Sequence, residues 1–100
     1  MRPFDSKKTE ETRKIEEFLR QHFHDVESYR QNSASIRLRI VDDSFRGLSR
    51  VEREQRVFPL LDQLPPDTLS DITIVLMLTP EELSESLANF DFERPMASLL

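Results

Sequence analysis

The chain has no cysteine, a single glycine, and no apolar run near the roughly 18 residues that suggest a membrane span. Each absence removes a class of chemistry. Without cysteine there is no disulfide, no thiolate nucleophile and no Cys-ligated metal. One glycine, Gly47, excludes a P-loop and a G-x-G-x-x-G dinucleotide turn. Neither H-E-x-x-H nor G-x-S-x-G occurs. The opening "MRPFDSKKTEETRK" has no apolar h-region, so no secretory leader is expected. A cytoplasmic protein without a membrane partner or a small-molecule substrate is the resulting expectation, with no catalytic residue set to make it an enzyme.

What is present is charge, unevenly placed. One hundred residues carry a net −5, which argues against constitutive binding of nucleic acid. Residues 30–56, however, hold seven arginines, no lysine and four acids, a local +3. Residues 57–100 hold one arginine and eight acids, a local −7. Arginine offers a planar fork of donors suited to carboxylates and phosphates.

The patterning predicts one domain over 1–94 and a loose tail over 95–100. Ser6 is the expected N-cap of a first helix, whose stripe is Ile15, Phe18, Leu19 and Phe23. Val26–Tyr29 is a short strand candidate, and "RQNSAS" a polar loop. Ile36, Leu38 and Ile40 alternate with Arg37 and Arg39, the period of a strand with one cationic, solvated face. Ser49 and Glu52 form a capping box. Pro59 then predicts two short helices, about 49–57 and 59–64, with one kinked helix as the alternative. In the first, Val51 and Phe58 share a face. Arg50, Arg53 and Arg56 lie opposite it as an exposed edge, readable either as a binding surface or as an ordinary solvated helix face. "ITIVLML", 72–78, reads as a well-buried strand. Thr79, Pro80 and Glu82 open a last helix lined by Leu83, Leu87 and Phe90.

The order α–β–β–α–α–β–α predicts an α+β fold: a hairpin, then a crossover to a parallel third strand, giving a three-stranded mixed sheet with helices on one face. Gly47, between a strand end and the capping box, is expected at positive φ or in close backbone packing. His22 and His24, at i and i+2, point to different sides of a helix and make a poor metal pair. Asp42/Asp43 and Glu81/Glu82 read as turn and first-turn charges.

At "FRGLSRVEREQRVFPLL" the sequence resembles the BolA-like family, most closely its IbaG branch. Phe45, Gly47, Ser49, Val51, Arg53, Val57 and Phe58 match one motif block. Thr79, Pro80, Glu81 and Glu82 match a second, at ungapped spacing. The resemblance covers about residues 36–83. It implies a fold similar to the type II KH domain and a small non-enzymatic adapter. It also implies a partnership with monothiol glutaredoxins through a shared [2Fe–2S] cluster, and links to iron–sulfur trafficking, stress responses and transcription regulation. The sequence departs from the family at the ligand. The family's cluster-ligating histidine aligns with Asp71, and "RQNSAS" supplies no second histidine or cysteine. Carboxylate is a harder and poorer ligand than imidazole for such a cluster, so no cofactor of its own is expected.

Two functions follow as expectations. One is an adapter for a monothiol glutaredoxin or another protein. The other is a KH-like module binding DNA or RNA through Arg37, Arg39, Arg46, Arg50, Arg53 and Arg56, although the G-x-x-G loop of such domains is missing.

Overall fold

The first helix begins later than Ser6 predicts, because a different pair of side chains closes its end. Thr9 and Thr12 exchange side-chain and backbone hydrogen bonds in a capping box, and α1 runs Glu10–Leu19. Ser6 lies instead in a 3₁₀ turn, Asp5–Lys7, just after the buried Phe4. These features come from a computed structural model, which describes residues 2–95. Of the tail expected over 95–100, only Pro95 falls within them.

β1 (Asp25–Asn32) is longer than the four residues expected, and the loop "RQNSAS" shrinks to the turn Ser33–Ala34. Asn32 tightens that turn by accepting from the Ala34 N–H. β2 (Ser35–Val41) pairs antiparallel with β1, Glu27 opposite Arg39 and Ser28 opposite Leu38. β3 (Ile72–Leu78) pairs parallel with β2, Leu38 opposite Val75 and Ile40 opposite Met77. The sheet order β1-β2-β3 is the mixed three-stranded sheet that the crossover rule predicts. β1 and β3 are its two edges.

Gly47 sits at φ +80° between a 3₁₀ turn, Asp43–Phe45, and the Ser49 cap. A Cβ there would meet nothing within 4 Å. The left-handed backbone, not crowding, is what requires glycine.

The Ser49/Glu52 capping box starts α2 as predicted, but α2 (Arg50–Leu61) is one helix that passes through Pro59. Two helices meeting at Pro59 are therefore corrected to one. Proline gives up the N–H bond to the Gln55 carbonyl one turn back, and burial of Val57 and Leu61 on either side carries the helix through it. The second helix of the crossover is α3 (Pro66–Asp71), started by Pro66 at its first turn in the "LPPD" segment expected to end the helical part.

The buried face of α2 also differs from expectation. Val57 and Leu61 are buried, with Leu60 and Leu64 packed beside them, while Val51 and Phe58 are exposed. Together with Ile15, Leu19, Ile36, Leu38, Ile40 and Phe45, these residues build the main core between the sheet and α1, α2 and α3.

The other face of the sheet is not the solvated cationic surface that alternation predicts. Phe4, Tyr29 and Phe92 form a second buried cluster there, with Leu76 against it. Phe4 stacks on Tyr29 at 5.2 Å between ring centroids, and the Tyr29 hydroxyl donates to the Phe92 carbonyl at 2.9 Å. Phe92 belongs to α4 (Leu87–Glu93), which is separate from the 3₁₀ turn Pro80–Ser84 opened by the Thr79/Glu82 capping box. Ser86 accepts from the Asn89 N–H and starts α4 afresh. That new start rotates the helix, so Asn89 and Phe92 are buried and the expected lining residues Leu87 and Phe90 are exposed.

Candidate functional site

The six arginines singled out in the sequence do not converge on one free surface. Side chains at alternate positions of β2 point to the second face, so Arg37 and Arg39 lie beneath α4. Arg39 is 3% exposed; its guanidinium donates to Asn89 at 2.8 Å, pairs with Glu93, and lies 4.9 Å from the Phe92 ring centroid. Arg37 donates to the Tyr29 hydroxyl and pairs with Asp91 at 3.0 Å. The acids of α4 thus neutralise the cationic face of β2. Arginine in a low-dielectric setting needs such partners, because an unpaired charge there costs several kcal/mol.

Arg53 belongs to the inner flank of α2 and not to an exposed edge. It donates to the carbonyls of Leu48 and Met77 and forks onto Glu82 at 2.7 and 3.2 Å. The Arg53 hydrogen bonds, with a further one from the Thr79 backbone, hold the Glu82 carboxyl down at about 2. Glu82 therefore closes the Thr79 capping box and fastens α2 to the end of β3. Arg46 pairs with Glu81 and Asp43 at the surface. Arg56 donates to the Ser44 carbonyl. Arg50 is exposed, with Glu54 at 3.5 Å one turn along. Of the six, Arg56 alone makes no ion pair among the described residues, and Arg50 has only the long contact to Glu54.

Asp71 ends α3 immediately before β3. Its carboxylate accepts from Arg30 at 2.7 Å, and the same guanidinium nitrogen meets Glu11 at 2.5 Å. The hydrogen bonds from Arg30 to Asp71 and then to Glu11 raise the Arg30 pKa, so the cation between the two acids is permanent. Glu11 also accepts from the Thr68 hydroxyl of α3. The cluster ties α1, the end of β1 and α3 together. Its donor set is oxygen held by a guanidinium, and it does not fit a [2Fe–2S] centre, which takes thiolate or imidazole. No group of three or more His, Cys, Asp or Glu able to hold a metal ion occurs among the described residues. His24 donates its backbone N–H to Asp42, and the His22 ring packs edge-on to Phe18.

Sequence reasoning missed Arg30 as an organiser because it was assigned to a loop. It also missed Phe4, whose apolar character in a charged N-terminal stretch was the available signal.

α2 also presents apolar side chains to the surface. Val51 is 59% and Phe58 42% exposed on α2. With Pro59 they line a shallow groove of about 380 Å³ rimmed by Glu54 and Asp62. Comparison with known proteins gives no match to any family model, curated protein or solved structure.

Proposed function

We propose that this chain is a small, non-enzymatic, BolA-like adapter that acts in the cytoplasm through a protein partner. A monothiol glutaredoxin is the first partner to test. The observation that carries the reading is a contrast between the arginines of β2 and the inner flank of α2 and the outer apolar face of α2. The arginines that suited a phosphate backbone are largely committed to internal carboxylates, whereas Val51 and Phe58 stay exposed around a groove. An apolar groove with a polar rim suits the desolvated centre of a protein interface. Nucleic-acid affinity scales with the number of phosphates neutralised, and Arg50 and Arg56 are too few for tight binding.

In this reading the iron–sulfur trafficking and stress-linked regulation implied by the resemblance operate through the partnership, with no ligand from Asp71. The experiment is a calorimetric titration of the full chain with a monothiol glutaredoxin, beside Val51→Asp and a low-salt oligonucleotide titration. Binding that is lost in Val51→Asp supports the adapter. Absence of glutaredoxin binding together with steeply salt-dependent oligonucleotide binding replaces it with the nucleic-acid module.

A further inference from the structure

The two edges of the sheet are finished in opposite ways. On β1 the backbone groups that face away from β2 are covered by side chains of α1 and the segment before it. Arg20 donates to the Val26 carbonyl, Lys8 to the Ser28 carbonyl, and Glu16 accepts from the Ser28 N–H. Such charged side chains are a standard way to block strand addition.

β3 carries one such cover, at Met77, and none at Val75. Backbone groups of successive strand residues point to alternate edges. The parallel register, Leu38 opposite Val75 and Ile40 opposite Met77, aims the groups of Ile74, Leu76 and Leu78 at β2. Those of Val75 and Met77 face outward. Arg53 covers the Met77 carbonyl. The Val75 N–H and carbonyl have no partner among the described residues. The strand "ITIVLML" also lacks the charge or proline that blunts an edge. Two grooves, of about 450 and 190 Å³, follow this edge, and Val75 lines both.

The occupant can be argued from the charges at the two ends. Arg50 lines the groove beside the C-terminal half of β3, where Arg53 and Glu82 neutralise each other, and Asp62 lines the groove beside the N-terminal half. A two-fold axis at Val75 exchanges the two halves. It brings the Arg50 end of each copy to the Asp62 end of the other, and sets one uncharged strand against its own twin. A self-complementary patch of this kind is what an isologous contact requires. We propose that β3 is a homodimer edge: the β3 of a second copy adds antiparallel across Val75, joining the two sheets into one. Val75 then exchanges both backbone hydrogen bonds with its counterpart. This surface shares Phe58 and Asp62 with the α2 groove, whereas Val51 lies outside both edge grooves.

The test is sedimentation velocity on the full chain over a concentration series, with Val75→Pro, Ile74→Lys and Val51→Asp. Val75→Pro removes the outward N–H while leaving the bonds to β2, the one place a strand tolerates proline. Ile74→Lys places a charge on a partly exposed edge position and keeps every N–H. The expected result is a species of twice the 11.8 kDa chain mass that survives Val51→Asp. Ile74→Lys should reduce it to one chain at every concentration, as should Val75→Pro wherever its far-UV spectrum remains native. A wild-type chain that stays monomeric throughout overturns the proposal. So does a dimer that persists in folded Ile74→Lys, and so does an edge filled only when an unrelated protein is added. Glutaredoxin affinity is read separately, so loss of the adapter reading leaves this result standing.

Discussion

Arg30 and Asp71 are 41 residues apart in the chain and 2.7 Å apart in space, with Glu11 on the same guanidinium nitrogen. One cation therefore occupies the Asp71 and Glu11 carboxylates together. Asp71 reads as a brace between the end of β1 and the start of β3.

That relationship predicts the outcome of cluster reconstitution. Mixing the chain with a glutaredoxin-bound [2Fe–2S] cluster should leave the visible absorption and circular dichroism of the glutaredoxin cluster unchanged. A new imidazole-ligated spectrum would show that a histidine elsewhere reaches the iron. Asp71→Asn should lower stability by about 1 kcal/mol, the usual size for a partly exposed pair, as read from urea midpoints.

Arg39 is a harsher site. Arg39→Ala leaves Asn89 and Glu93 without their cation and empties space beside Phe92. A loss of about 3 kcal/mol is expected, because truncating a buried side chain leaves a cavity beside Phe92 and the buried Asn89 without its donor. Tyr29 reports it: near-UV dichroism should weaken as α4 loosens, while a surface change at Arg50 leaves the signal intact.

Glu82 gives a pH signature. Its carboxyl is held at about 2 in the folded chain against an ordinary 4.5. A depressed folded value means its stabilisation is full above 4.5 and is lost as pH falls toward 2. After solvent screening of this partly exposed group the contribution is about 1 kcal/mol. Burial opposes ionisation of Glu27, but hydrogen bonds from Lys8 and Arg2 lower its pKa on balance, so acid sensitivity does not belong to Glu82 alone. Urea midpoints of wild type and Glu82→Gln should therefore differ near neutrality and converge at low pH; a constant gap would refute the assignment.

Gly47→Ala should cost about 1 kcal/mol, since the methyl group meets no neighbour and only the positive φ is strained. Gly47→Asn should cost less, asparagine being the side chain that tolerates this region best. Equal losses for the two in thermal melts would mean that packing is decisive there.

The sequence by itself determined the elements that rest on neighbours in the chain. The Ser49/Glu52 and Thr79/Glu82 boxes and the Gly47 turn were legible because their hydrogen bonds close within a few residues, and the 72–78 strand because its run of apolar and β-branched residues marks it. Even so, Pro59 is no boundary, because packing of Val57 and Leu61 outweighs the hydrogen bond that proline forgoes. Tertiary structure decided the fate of the charges. Alternation put Arg37 and Arg39 on the outer face of β2, as read, but nothing local to those residues says that Asp91 and Glu93, more than 50 residues on, will cover them. It likewise decided that Arg53 turns inward while Val51 and Phe58 turn out. A helical wheel fixes only which residues share a face; which face meets the sheet depends on where α2 docks. Electrostatic partners are set by distance in space, and in a chain whose arginines and acids are segregated along the sequence, only folding could bring them together.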